Sequence, residues 1–258
     1  MRIAIKFAYD GRKFHGYARQ PQLKTVEEEL IKNLIRHGFI RDAKKSCFRS
    51  ASRTDKGVSA LGNVIAFNTD LSKEHIFQTL TNEINEILVY GIKIVESNFY
   101  PRYAEWRIYR YYLKNDSFEL ERILSVASLF AGEHNFRNFA RLEIGKNPIR
   151  TINNILVAGR EGFFIIDFYA QTFLWNQVRR VVSAIEKVGR GKLTKEQIIE
   201  ALNNPEKKVD FGLAPAEPLI LKDVVYDFEF EYDERLLSQL SHLEKNIVLS
   251  LSNKHETI

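Results

Sequence analysis

A strand-like opening with a capped amphipathic helix further on, and a second series of strands and helices behind them that is no true repeat, most restrict what these 258 residues can fold into. Ile3, Ile5 and Phe7 alternate with Ala4, Lys6 and Ala8, the period of a strand with one apolar face. Thr25 stands three residues before Glu28, the spacing of a capping box. Leu30, Ile31, Leu34 and Ile35 then lay an apolar stripe along a helix. Residues 63–68 read as a second strand and 74–87 as a second helix.

The second series starts after residue 104. Residues 107–114 alternate aromatic and basic side chains, as a strand with a cationic face does. A helix is expected over 121–130, closing near Gly132. Residues 152–157 and 163–169 read as a hairpin around Gly159-Arg160-Glu161-Gly162. A helix over 176–188 ends at Gly189, Thr194 with Gln197 caps another, and 224–230 reads as a last strand. Leu236, Leu237, Leu240, Leu243, Ile247 and Leu251 form a helical stripe, read as core packing ahead of a dimer surface. The pattern predicts an α+β protein of two α/β units. Residues 1–104 form the N-terminal unit with the Asp55 loop, and residues 105–258 form the C-terminal unit with the last helix. Their mainly antiparallel sheets are expected side by side, as one extended sheet around a basic cleft.

Composition narrows the class. Apolar residues make up 45% and charged residues 28%, the balance of a globular protein rather than a disordered or fibrous one. A net charge of +5 favours a polyanionic partner such as nucleic acid. One cysteine, Cys47, excludes an internal disulfide and a cysteine-rich zinc site, and is read as a small buried apolar residue. The N-terminus shows no cleavable apolar signal, and no run approaches ~18 apolar residues. A cytoplasmic protein with no membrane partner is expected.

Chemistry concentrates in Arg53-Thr54-Asp55-Lys56-Gly57-Val58-Ser59-Ala60, a charged turn between apolar runs. A carboxylate flanked by two cations is favoured in its ionised form, and the glycine allows a tight return of the chain. That suits a nucleophile near a phosphate-bearing substrate, although Arg-Thr-Asp-x-Gly also describes an ordinary surface turn. Three further segments accompany it: Phe7-Ala8-Tyr9-Asp10-Gly11 leading into Lys13-Phe14-His15-Gly16-Tyr17-Ala18-Arg19-Gln20-Pro21, then Arg107-Ile108-Tyr109-Arg110-Tyr111, then Phe173-Leu174-Trp175-Asn176-Gln177-Val178-Arg179-Arg180. In this order the four motifs resemble the TruA family of tRNA pseudouridine synthases, over residues 3–226.

The resemblance implies a pseudouridine synthase fold and an isomerase, active without cofactor or metal, that turns uridine into pseudouridine in the tRNA anticodon stem-loop at positions 38 to 40. It implies a homodimer bridged by tRNA. Asp55 matches the catalytic nucleophile, attacking either C6 of the base or C1′ of the sugar. Arg53 matches a residue that braces the gap left by the extruded base. Tyr109 matches a tyrosine that stacks on uracil; a phenol with a pKa near 10 is a poor base at neutral pH, so proton abstraction is the secondary reading. Arg179 matches the arginine paired with the aspartate, and is read on an apolar helix face with Trp175, Val178 and Val182. Arg12, Lys13, Arg19, Lys56, Arg110 and Arg180 are candidate phosphate contacts. Tyr111 and Tyr112 are read as packing residues.

The chain departs from the common bacterial pattern at Tyr17 (tryptophan there), Ser52 (glycine) and Ser59 (histidine), and its Lys56-Gly57-Val58-Ser59-Ala60 resembles archaeal and eukaryotic members instead. Those departures bear on which uridines are modified. A related synthase with broader RNA targets and a catalytically silent RNA-binding module are the alternatives. Gly189-Arg190-Gly191-Lys192-Leu193-Thr194 fails as a phosphate loop, because Leu193 replaces the required Ser or Thr and Glu186 the first glycine. The histidines at 15, 37, 75, 134, 242 and 255 lack metal-binding spacing.

Overall fold

The computed structural model describes residues 1–83, 86–115, 119–160 and 162–253. In chain order they form β1 (Arg2–Tyr9), α1 (Val26–Arg36), β2 (Arg49–Ser50), β3 (Ser59–Asn68), α2 (Lys73–Glu83), β4 (Ile87–Val95), β5 (Trp106–Lys114), α3 (Leu120–Ala127) and β6 (Gly132–Asn135). There follow β7 (Ile149–Ile152), β8 (Asn154–Arg160), β9 (Phe163–Ala170), α4 (Gln177–Gly189), α5 (Lys195–Asn203), β10 (Leu219–Val225), β11 (Glu231–Tyr232) and α6 (Glu234–Asn253). Two units result. Met1–Glu105 packs with the segment from Ile220 onward, and Trp106–Leu219 forms the other. The C-terminal segment expected with the second unit thus folds with the first, because β10 pairs in parallel with β3 and β11 antiparallel with β4.

In the first unit the strand order is β11-β4-β1-β3-β10. β1 is central and antiparallel to both neighbours, with Ile5 opposite Ile65 and Ile92. All eight of its residues are buried, so the expected one-sided strand is covered on both faces. Lys6 survives there because its ammonium meets Asp223 at 2.5 Å. Thr25 caps α1 by accepting from the Glu28 N–H, and Val26, Leu30 and Leu34 fill the core beneath. Each such fully buried aliphatic side chain contributes about 2 kcal/mol. α2 ends at Glu83 and Ile87 opens β4; Ile84 and Asn85, within the expected helix, lie outside the described residues.

Two expectations in this unit are corrected. The ladder of β10 ends at Val225, short of the strand expected to run to residue 230. Tyr226, Phe228 and Phe230 keep the period of two, but their rings gather with each other and with Phe99 instead of extending a ladder. Cys47 is exposed, in a left-handed turn at φ 50°, where its carbonyl accepts from Arg2. On α6, Leu236, Ile247 and Leu251 are buried, while Leu237 is exposed.

In the second unit β5, β9 and β8 form an antiparallel sheet in that order. The hairpin begins at Asn154; Ile152 belongs instead to β7, which pairs with β6 in a separate ribbon. Glu161 in the turn is outside the described residues. The helix expected to 130 stops at Ala127 and tightens into a 3-10 turn over Ser128–Phe130. α3 packs on α4. Val178, Val181, Val182 and Ile185 bury the inner face of α4, and Thr194 with Gln197 completes a capping box at α5.

Candidate active site

The Asp55 loop joins β2 to β3 and is held almost residue by residue. Tyr17 Oη donates to Ser50 Oγ at 2.6 Å, and the Ala51 N–H donates to the Val64 carbonyl. Asn63 clasps Ser52, its Oδ1 accepting from the Ser52 N–H and its Nδ2 donating to the Ser52 carbonyl. Thr54 is gripped twice: its hydroxyl shares a 2.7 Å hydrogen bond with Tyr9 Oη, and its carbonyl accepts from the Tyr17 N–H. Beyond Asp55 the chain turns at Gly57 with φ 87°, and the Val58 N–H returns to the Asp55 carbonyl. Within this frame Asp55 is half-buried, whereas Arg53 and Lys56 on either side are exposed.

The segment after β1 buttresses the same loop. Gly11 lies so close that an added Cβ would stand 2.2 Å from the Val58 carbonyl oxygen, and its N–H donates to Ser59 Oγ. Asp10 is buried, which opposes its charge. Hydrogen bonds from the Arg12 guanidinium and N–H outweigh that burial and hold the Asp10 carboxyl below its ordinary range. Arg12 is thereby fixed in place while still exposed, and Lys13 beside it and Arg19 further on are exposed as well. Burial pushes the Tyr17 phenol well up, so its hydroxyl stays protonated as the donor to Ser50.

In the second unit Tyr109 lies on β5 opposite Phe168, half-buried, its ring edge-on to Phe173 at 5.2 Å. Neighbouring Arg110 donates two hydrogen bonds to Asp167, which raises its pKa further and occupies the guanidinium expected at a phosphate. Tyr111, read as a packing residue, is buried and its hydroxyl donates to the Pro215 carbonyl. Burial raises its pKa as well.

Arg179 stands in the first turn of α4 and is half-buried. Its Nε donates to the Ala214 carbonyl at 2.8 Å, and the Ala214 N–H returns a bond to the Arg179 carbonyl. Ser183 Oγ holds the Phe211 carbonyl in the same loop. α4 starts at Gln177 behind a left-handed Asn176, so Trp175 is not on the helix face where it was expected. It is 44% exposed beneath the Arg141 guanidinium. Arg180 pairs with Asp210 at 2.8 Å.

Tyr17 and Ser59 stand out in the sequence only as departures from the bacterial pattern, and Tyr9 and Asn63 carry no role there; sequence reasoning missed their part in holding the Asp55 loop. One signal was available: Asn63 interrupts an apolar strand, and a buried amide there requires partners. Among the described residues no three His, Cys, Asp or Glu side chains cluster so as to hold a metal ion, and His255 lies outside them. No described helix is long and apolar enough to cross a membrane.

The relatives identify the class of protein as an RNA-modifying isomerase. A family model described as tRNA pseudouridine synthase matches residues 126–227. A Thermococcus sibiricus protein named tRNA pseudouridine synthase A is 44% identical over 237 residues, covering 90% of this chain and 88% of its own. Namesakes from Pyrococcus abyssi (40% identical; 93% and 90% covered) and Methanobrevibacter smithii (38%; 98% and 92%) align as fully. A chain in the crystal structure of a Cbf5-Nop10-Gar1 complex overlaps 72% of this one and 44% of itself, at 15% identity and a TM-score of 0.36. The chain belongs to the tRNA pseudouridine synthase A family, a family of isomerases.

Proposed function

We propose that this synthase acts on the tRNA anticodon stem-loop, at positions 38 to 40, with Asp55 as its nucleophile. The reaction breaks the N1–C1′ bond of uridine, turns the base, joins C5 to C1′, releases the C5 proton to solvent and leaves N1 with a proton taken up in exchange. No electrons are gained or lost. A carboxylate suits the work because it attacks, at C6 or C1′, and later leaves. The observation that carries this reading is the half-buried Asp55 in a loop where Ala51, Ser52, Thr54, Val58 and Ser59 are each held by a hydrogen bond. A nucleophile held this firmly loses little freedom on reaching the transition state.

Tyr109 supplies a ring for the extruded uracil, its tilt set by Phe173, and Arg179 a guanidinium oriented by Ala214. Arg53 braces the gap left in the RNA. Lys13, Arg19 and Lys56 meet phosphates, for which their exposure suits them, while the Arg12 guanidinium, like that of Arg110, is engaged by a carboxylate. A homodimer is part of the proposal, and solution mass tests it.

Release of tritium from C5-labelled uridine in tRNA tests the chemistry. The wild-type protein is expected to release it, and Asp55→Asn to be slower by about 10⁴-fold while still binding tRNA. An active Asp55→Asn protein would overturn the assignment. Mapping the new nucleoside in a mixed tRNA pool decides the target positions; modification confined to sites outside 38 to 40 would replace that part of the proposal.

A further inference from the structure

We infer that Tyr9 and Thr54 are positioning residues for the nucleophile: their shared hydrogen bond sets the direction in which Asp55 leaves its loop. The inference rests on Asp55 being the nucleophile. Tyr9 closes β1 at 1% exposure, and Thr54 is buried too, so their 2.7 Å bond forms away from solvent. Two polar groups are costly to bury and are retained only when satisfied. Thr54 immediately precedes Asp55, and its side chain and its carbonyl are each held by a different tyrosine residue. The Tyr9 ring is itself wedged edge-on to Phe14, with centroids 6.0 Å apart, and its hydroxyl has little freedom to follow a moving loop.

Fold maintenance alone does not call for this arrangement. The loop is already anchored at Ser50 by Tyr17, at Ser52 by Asn63 and at Ser59 by Gly11. The Tyr9–Thr54 bond adds one more constraint at the residue whose ψ angle steers Asp55. Displacing a reacting atom by about 1 Å can cost a hundredfold in rate. The bond is therefore expected to appear in turnover and not in RNA affinity, since neither side chain reaches the surface.

The test compares Tyr9→Phe, Thr54→Val and Thr54→Ser with wild type by tritium release from tRNA, together with tRNA Kd and Tm. Assays are run at one temperature where all four proteins are folded. Tyr9→Phe and Thr54→Val are expected to lower kcat at least tenfold with KM and Kd within about twofold, and Thr54→Ser, which keeps the hydroxyl, to recover most of the rate. Wild-type kcat in both hydroxyl-deleted proteins overturns the inference, as does an equal loss in Thr54→Ser. Asp55→Asn is assayed alongside. If it is active, the nucleophile assignment fails and the inference with it; if it is inert while Tyr9→Phe and Thr54→Val run at full speed, the inference alone fails.

Discussion

Arg110 and Asp167 face each other across β5 and β9, joined by two hydrogen bonds of 2.8 and 2.7 Å. Both side chains are mostly buried, with exposures of 25% and 12%. Removing one partner strands a charge, so Arg110→Ala is expected to lower unfolding free energy by about 2 to 3 kcal/mol, somewhat under the range for fully buried pairs. The salt dependence of tRNA binding should not change, because this guanidinium is already neutralised. Lys56→Ala should do the reverse, lowering the slope of log K against log salt by about one at unchanged stability. Urea titration and binding across a salt series check both.

The contrast marks how far the residues alone could be read. Alternation located β1, β3, β5 and β9, and the caps at Thr25 and Thr194 located α1 and α5, because strand period and orphan amides are local properties. Where Tyr226 to Phe230 mimics a strand, the period of two is real but the ladder is missing, and pairing is a long-range property. The charged motif made Asp55 the candidate nucleophile. It carried no information about Tyr9, 46 positions upstream, since sequence spacing does not report which buried hydroxyl meets Thr54. Arg110 and Arg53 look alike in sequence; only the partner strand distinguishes an ion-paired arginine from an exposed one.

Arg179 is aimed through one nitrogen. Its Nε is committed to the Ala214 carbonyl, which leaves the fork of the guanidinium at a fixed angle. Lysine carries all three of its donors on one nitrogen, so an ammonium bonded to that carbonyl cannot also present a second, rigidly angled pair of donors as a guanidinium does. Arg179→Lys is therefore expected to reduce kcat roughly ten- to a hundredfold, with tRNA Kd within about threefold. Steady-state kinetics beside equilibrium binding separates these effects.

Asp10 links stability to acidity. Its folded pKa lies below the unfolded value of about 3.9. The carboxylate therefore stabilises the fold above that unfolded value, and the contribution fades as pH falls through the folded pKa. Asp10→Asn should cost about 2 kcal/mol at neutral pH, the worth of hydrogen bonds to a charged group. The gap between variant and wild type should narrow below about pH 4, where the wild-type carboxyl itself takes up a proton. A gap of constant size down to pH 2, measured by urea unfolding, would show that Arg12 contributes nothing through charge.

Gly11 offers the sharpest steric test of how the Asp55 loop is seated. A Cβ there would meet the Val58 carbonyl oxygen at 2.2 Å and the Ser59 nitrogen at 2.8 Å, both backbone atoms that cannot rotate aside. Gly11→Ala must push the turn after β1 and the 55–59 loop apart, stretching the Gly11 N–H to Ser59 Oγ bond. Overpacking of this kind costs about 1 to 3 kcal/mol. Because the displaced segment begins at Asp55, kcat should fall further than the loss of folded protein explains. Gly159→Ala is the control: it lies in β8, and its nearest neighbour, a ring carbon of Phe164, stands 4.0 Å from the added Cβ. That variant should match wild type in Tm and turnover, and Gly11→Ala should not. Equal kcat per folded molecule in the two would mean that the buttress leaves the Asp55 loop unmoved.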